Sequence, residues 1–139
     1  MRPYFDHEKL KVYQSAIRFV TWSTDFLAGI NARAAAKDQL DRASTSVPLN
    51  IAEGNGKFAI RDRCRFLDIA RGSALECAAC LDVLVAKRLT EEQAIRSGKE
   101  QLVEVVSMLV GLTNSLMARI GEEAPTYGAS EQEQEQEQE

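Results

Sequence analysis

Apolar residues recur at steps of three and four along four stretches of the chain, the spacing that places side chains on one face of an α-helix. None of these stretches alternates with the two-residue period of a β-strand. The spacing predicts helices over about residues 7–28, 33–56, 58–88 and 90–121. Short connections between them favour an all-α fold, an antiparallel up-down four-helix bundle.

Two local signals refine this prediction. Pro48 lies inside the second helix, where it lacks the amide proton of an ordinary residue, so we predict that helix two is kinked there. Thr90 precedes a Glu-Glu-Gln first turn, which predicts a capping box at the start of helix four.

The first helix carries two apolar stripes. A heptad seam that we expect to face the bundle consists of Leu10, Tyr13, Ile17, Val20, Thr24 and Leu27. A second stripe, about 140° around the helix at 100° per residue, consists of Val12, Phe19, Trp22 and Phe26. A helix at the edge of a monomeric bundle needs one apolar face, so the second stripe predicts a subunit interface. The alternative is a helix that lies deeper in its own fold.

The charges divide the chain into two parts. With 139 residues, the chain is long enough for one domain with its own core. Residues 1–121 carry 17 basic and 14 acidic side chains, a net charge of +3, whereas residues 122–139 carry seven acidic side chains. The second part ends in alternating Glu and Gln. We therefore predict a bundle domain over 1–121 and a disordered, acidic, low-complexity tail over 122–139.

Membrane and export signals are weak in this sequence. It has no run of 18 apolar residues, and its first residues lack the apolar core of a signal peptide. Three cysteines suit a reducing compartment. We expect a cytoplasmic protein with no membrane partner.

Candidate catalytic groups are sparse. Cys77 and Cys80 form a C-x-x-C pair, but the pair lies in the middle of a predicted helix, where a buried structural role is more common than redox or metal chemistry. His7 is the one histidine, and no serine motif or phosphate loop accompanies it. We expect no enzyme activity, no cofactor and no metal site.

Basic residues form the main candidate binding site. Lys57, Arg61 and Arg65 are four residues apart, so they would share a helical face. The full candidate set for binding nucleic acid is Lys57, Arg61, Arg65, Arg33, Lys37 and Arg42. Clustered cations bind phosphates. Acidic residues are interleaved with them, so a solvated face of internal ion pairs is the alternative.

Two motifs carry a family resemblance. They are Ala-Ser-Thr-Ser-Val-Pro-Leu-Asn-Ile-Ala-Glu-Gly over residues 43–54, and Arg-Phe-Leu-Asp-Ile-Ala-Arg-Gly-Ser over residues 65–73 followed by Glu76. With Leu-Lys-Val-Tyr-Gln-Ser-Ala over residues 10–16, they resemble the four-helix bundle family encoded in intervening sequences of bacterial 23S rRNA genes, the S23 family. The resemblance implies a homopentamer without enzyme activity. This family is similar to accessory variability determinant proteins of diversity-generating retroelements, which bind nucleic acid and a reverse transcriptase.

We expect the motif residues to be structural. They are Pro48, Asn50, Glu53, Gly54, Arg71, Gly72, Ser73 and Glu76. Asn50 and Glu53 would satisfy backbone groups freed at the kink, and Gly72 would permit close packing. Arg71 and Glu76 would pair with Glu53 or Arg65 across helices two and three.

These expectations combine into two functional hypotheses. The first is a non-catalytic homo-oligomeric scaffold, a pentamer, that binds RNA or DNA through a basic face. The second is a protein–protein interaction module without nucleic-acid contact, in which the pentamer binds a partner protein and the basic residues pair internally.

Overall fold

The computed structural model describes residues 3–30 and 35–121, and these fold into helices with no strand among them. A 3₁₀ turn precedes four α-helices: Asp6–Lys9, then α1 (Lys11–Ala28), α2 (Ala35–Asn55), α3 (Ile60–Ala86) and α4 (Glu92–Ala118). The predicted all-α, four-helix fold class is confirmed. The predicted acidic tail, residues 122–139, and Arg33 lie outside the described residues.

The bundle is a ring in which α2 packs on α1 and α3, and α4 packs on α3 and α1. Two contacts set the antiparallel register of α2 and α3. Ser46 Oγ lies 2.8 Å from Ser73 Oγ near the middle of the pair, and Gly54 lies against Phe66 at one end. Higher residue numbers in α2 therefore lie opposite lower residue numbers in α3, as in an antiparallel pair.

The contacts of α4 show the same antiparallel order. Ser15 Oγ of α1 donates to Glu104 Oε1 over 3.4 Å, and Trp22, two turns later in α1, covers Gly98. On its other side α4 is joined to α3 by the salt bridge from Lys99 Nζ to Asp82 Oδ1, at 2.7 Å.

Each helix contributes one face to a single core. Its largest fully buried side chains are Phe19, Leu40, Ile51, Leu81, Leu84, Ile95 and Leu109. Burying a side chain of this size contributes about 1.5–3 kcal/mol. Small buried residues such as Ala43, Ala70 and Ala74 let the helices approach closely around these large groups.

The second stripe of α1 faces the protomer's own core, which corrects the predicted subunit interface. Val12 is 4% exposed and Phe19 is 1% exposed, while Trp22 and Phe26 are half-buried against the core. Ile17 of the predicted heptad seam is instead 39% exposed. The alternative interpretation, in which helix one lies deeper in its own fold, therefore describes α1. The physical reason is the space that Gly98 leaves for the Trp22 ring.

Two predicted helix features differ or remain open. Helix α4 has Glu91 as its N-cap residue, with no side-chain capping hydrogen bond, so the capping box at Thr90 was wrong. In the turn before α4, Arg88 has a φ of 62°. Helix α2 runs unbroken through the buried Pro48, and the kink there stays a prediction.

Helix α4 is long and apolar enough to cross a membrane by length and composition alone. One 18-residue window has a mean hydropathy of 1.4, and 28% of that window is buried inside the protein. The core helix of a soluble bundle passes the same test. The buried face of α4 lies against the core and consists of Ile95, Gly98, Leu102, Val105, Val106, Leu109 and Leu116.

Candidate nucleic-acid interface

The connection between α2 and α3 is a short, hydrogen-bonded turn. The amide of Gly56 donates to the Ala52 and Glu53 carbonyls, both at 3.2 Å, and the amide of Lys57 donates to the Gly54 carbonyl at 3.1 Å. Gly54 is buried where the two helices cross, and a Cβ there would lie 2.9 Å from the Cβ of Phe66. Only glycine permits this approach without a shift.

Two cations gather at the Phe66 ring, just beyond the turn. Lys57 Nζ lies 5.0 Å from the ring centroid, and Arg65 Cζ lies 4.8 Å from it. Each cation–π contact contributes about 0.5–1 kcal/mol at an exposed site. The Phe66 ring is therefore a shared contact for two cations, one from the turn and one from α3.

Arg63 fixes the turn from the α3 side, a role that the sequence did not reveal. Its Nε donates to the Lys57 carbonyl at 2.6 Å, and its side chain is half-buried. Arg61 is exposed on the first turn of α3, one turn before Arg65. We call residues 57–65 the cationic turn, because four basic residues and one acidic residue, Asp62, lie within it.

Phe58 completes the cationic turn and was also missed from the sequence. Its side chain is 101% exposed, more than any other large apolar residue in the described part of the chain. An exposed phenylalanine and a core phenylalanine look alike in a sequence. A signal was present all the same, since Phe58 follows a glycine turn and precedes the helix, outside the apolar periodicity.

The structure divides the predicted basic patch into two. Lys57, Arg61 and Arg65 are brought together, but Arg42 is 13 residues before the end of α2, about 20 Å away along the helix axis. Lys37 is half-buried, and its Nζ donates to the Ile30 carbonyl at 2.9 Å, where α1 ends. The prediction that Lys37 and Arg42 extend one basic surface with Lys57 was wrong, because the length of α2 separates them.

The motif residues of α2 and α3 form a polar clamp. Asn50 Nδ2 donates to the Ser46 carbonyl at 2.8 Å and to Ser46 Oγ at 2.9 Å, and Ser46 Oγ meets Ser73 Oγ across the helices. Asn50 thus bonds the carbonyl of Ser46. The amide that Pro48 lacks would have bonded the carbonyl of Ser44. The expected role of Asn50 and Glu53 at a kink stays a prediction.

The remaining motif residues lie further out. Arg71 donates to Asp68 Oδ1 from Nη2 at 2.9 Å, an ion pair within α3. The predicted pairs across helices two and three stay a prediction. Glu53 and Glu76 are exposed. Gly72 is exposed as well, and a Cβ added there would meet no atom within 4 Å. The expected close packing at Gly72 is therefore absent within the described part of the protomer.

The cysteine pair is chemically quiet. Burial raises the pKa of the Cys77 thiol to about 12, with the neighbouring Cys80 as a smaller contribution. Burial also raises the pKa of Cys64 and of Cys80. The thiolate is the form that attacks or ligates, so these thiols are poor nucleophiles near neutral pH. Within residues 3–30 and 35–121, no three of His, Cys, Asp and Glu gather as a metal site.

The fold and the turn together define the class of the protein: an all-α four-helix bundle with a cationic α2–α3 turn. The chain belongs to the 23S rRNA-intervening sequence protein family, which it matches over residues 8–111. A crystal structure of a protein with unknown function from the S23 ribosomal protein family of Bacteroides thetaiotaomicron has the same fold, with 21% identity and a TM-score of 0.69. The match covers 73% of this chain and 97% of that chain. No match to the sequence was found among curated proteins.

Proposed function

We propose that this protein is a non-catalytic homo-oligomeric scaffold, a pentamer as the S23 resemblance implies, that binds RNA or DNA through its cationic turn. The observation that carries the proposal is the pair of cations held at the Phe66 ring, with Lys57 Nζ at 5.0 Å and Arg65 Cζ at 4.8 Å from its centroid.

The arrangement suits a phosphate backbone. Lys57 and Arg65 both lie near one ring, and phosphates that contact these two cations would release counterions. One turn of this kind is a weak site. An oligomer would present several copies, and their joint engagement of one strand multiplies the affinity. The resemblance to accessory variability determinant proteins, which implies nucleic-acid binding, is consistent with this proposal.

Exposed apolar side chains support the oligomer. Leu49 is 63% exposed, Ile69 43%, Leu75 47% and Val103 55%. Grouped apolar side chains on a soluble surface are typical of an interface. The proposed subunit contact therefore moves from the second stripe of α1 to the outer side of α3 and its neighbours.

The same exposed residues favour a second candidate function, a protein–protein interaction module without nucleic-acid contact. In that case Leu49, Ile69 and Leu75 would bind a partner protein, and the cations of the turn would serve only the fold. The two functions differ in what charge reversal at the turn does.

The test is nucleic-acid binding by nuclease-treated protein, followed by fluorescence anisotropy at roughly 50 to 300 mM salt. We expect log affinity to fall linearly with log salt, by about 0.7 per phosphate contacted on a single strand. The double variant Arg61→Glu, Arg65→Glu should lose at least about tenfold in affinity, because two favourable phosphate contacts become repulsive.

The matched control is Arg42→Glu, an exposed arginine on α2 remote from the turn. It should change the affinity by less than about twofold, because it lies beyond a Debye length of about 10 Å. A flat salt response, or equal losses in the control and the double variant, would contradict nucleic-acid binding at the turn.

A further inference from the structure

We infer that the cationic turn recognises unpaired bases, with Phe58 as a stacking residue, so that its ligand is a single-stranded RNA or DNA segment. This inference rests on the proposed function and names the substrate class of the same site. Its carrying observation is a fully exposed phenyl ring, 101% accessible, at the start of the cationic turn, directly after Lys57 and before the three arginines.

The exposure of Phe58 is built into the backbone on both sides. Before it, the amide of Lys57 bonds the Gly54 carbonyl at 3.1 Å, and the Lys57 carbonyl accepts from Arg63 Nε at 2.6 Å. After it, the amide of Arg63 bonds the Ala59 carbonyl at 3.0 Å as α3 begins. With both neighbours anchored, the backbone that carries the ring is already ordered, and little backbone entropy remains to be lost on binding.

The positions of the cations suit a nucleic-acid single strand that runs along the cationic turn. Lys57 precedes Phe58 directly, and Arg61 is exposed on the first turn of α3. Proteins that bind single strands combine a basic track for the phosphates with aromatic rings for the bases. Each stacked base contributes about 1–3 kcal/mol, and every base has a face that can stack. Phe58 supplies the ring, and Lys57, Arg61 and Arg65 supply the track.

The surroundings of Phe58 argue against a protein partner or a second copy as its occupant. Aromatic anchors of protein interfaces lie in an apolar core from which charged residues are depleted. The exposed residues next to Phe58 include Arg61 and Asp62, and Ile69, an exposed apolar residue of α3, is 11 residues further along the chain. A duplex is a poor fit too, because its base faces are already stacked.

The experiment compares three labelled ligands of one length, about 12 nucleotides: a single strand, the corresponding duplex, and an abasic single strand. We expect the full-length protein to bind the intact single strand most tightly. Phe58→Ala should weaken binding to that strand by about tenfold, with no change in the salt slope or in binding to the abasic strand. Phe58→Trp should restore the affinity, because its larger ring also stacks.

Val83→Ala is the control, since it trims another exposed apolar side chain, near the end of α3 that is far from the turn, and should leave all three affinities unchanged. Unchanged single-strand binding by Phe58→Ala, with losses still seen in Arg61→Glu, Arg65→Glu, would overturn the stacking inference and leave the proposed function standing. A fall in oligomer mass on Phe58→Ala, measured by light scattering, would overturn it in favour of a subunit contact. Absence of binding by the unmodified protein would refute both.

Discussion

Trp22 and Gly98 show how one absent side chain decides which face of a helix is buried. The Trp22 ring stacks between Phe19, at 5.6 Å, and Phe26, at 4.9 Å, and it covers Gly98 of α4. A Cβ at Gly98 would lie 2.9 Å from Cζ2 of that ring and closer still to Cη2 and Cζ3. The slot at Gly98 therefore admits the aromatic stripe of α1 into the protomer's core.

Gly98→Ala should destabilise the protein by about 1–3 kcal/mol, because the added methyl group displaces the packed Trp22 ring. This loss outweighs the gain of about 1 kcal/mol that alanine brings to a helix interior. Urea unfolding measures the difference. Gly111→Ala, on the same helix with no atom within 4 Å of its new Cβ, is the matched control and should stabilise by about 0.5–1 kcal/mol. Equal stability changes in the two variants would contradict the claim that Gly98 provides the space for the Trp22 ring.

At the scale of an element, the missing Cβ of Gly54 lets α2 and α3 pack closely where they cross. A Cβ at Gly54 would meet the Cβ of Phe66 at 2.9 Å and the carbonyl oxygen of Arg63 at 3.1 Å. Backbone and Cβ atoms cannot swing aside as the end of a flexible side chain can. The position of the Phe66 ring, and of the cations near it, therefore depends on the closeness of the two helices.

Gly54→Ala should lower the free energy of unfolding by about 1–3 kcal/mol, because α3 must shift away from α2. Denaturant unfolding followed by circular dichroism provides the measurement. Gly56→Ala is the control, because its Cβ would meet only the carbonyl oxygens of Glu53 and Ala52, at 3.6 and 3.7 Å. It should change stability by less than about 0.5 kcal/mol. A Gly54→Ala variant as stable as the Gly56→Ala variant would show that the crossing tolerates expansion.

The four helices could be predicted from the sequence, but the face of α1 that is buried in the core could not. Steps of three and four predict a helix whatever packs on it, and the four helices agree with that pattern. Which stripe of α1 is buried depends on the space beside Trp22, and that space belongs to Gly98, far along the chain. Local periodicity carries no information about such a partner.

The candidate site was only partly predictable, because some of its residues are grouped by local spacing and others by the folded chain. Lys57, Arg61 and Arg65 are close in sequence, so local spacing was enough to group them. Lys37 satisfies the carbonyl of Ile30, a contact that only the folded chain creates. Phe58 escaped notice because its exposure depends on where the turn leaves the bundle, and not on residue type.

At the scale of the whole molecule, the registers between helices group the exposed apolar residues. The Ser46–Ser73 contact puts Asn50 at the level of Ile69, so Leu49 and Ile69 lie at one height on the outer side of α2 and α3. Gly72 is one turn of α3 further on, with open space over it. This face combines exposed apolar side chains with a glycine, whose missing Cβ lets a second helix approach closely.

The α3–α4 side continues the same face. The Lys99–Asp82 salt bridge puts Val103 at the level of Ala78, about one turn from Leu75. Both Leu75 and Val103 are about half exposed, at 47% and 55%. The outer face of α3 is therefore flanked by apolar residues on both sides, with Gly72 between them.

Gly72→Arg should convert the proposed oligomer to a species near the protomer mass of 15.4 kDa, measured by light scattering. The charged side chain fills the gap on the outer face of α3 and would be buried unpaired in the assembly, at a cost of several kcal/mol. Among residues 3–30 and 35–121, nothing beyond the adjoining helical backbone lies within 4 Å of the new Cβ, so thermal unfolding of the separated chains should not occur at a lower temperature. Gly111→Arg makes the same change on the outermost line of α4 and should leave the assembly intact. If Gly111→Arg dissociates the assembly and Gly72→Arg does not, the interface lies on α4. If the unsubstituted protein is already monomeric, there is no assembly to disrupt and the proposal is wrong.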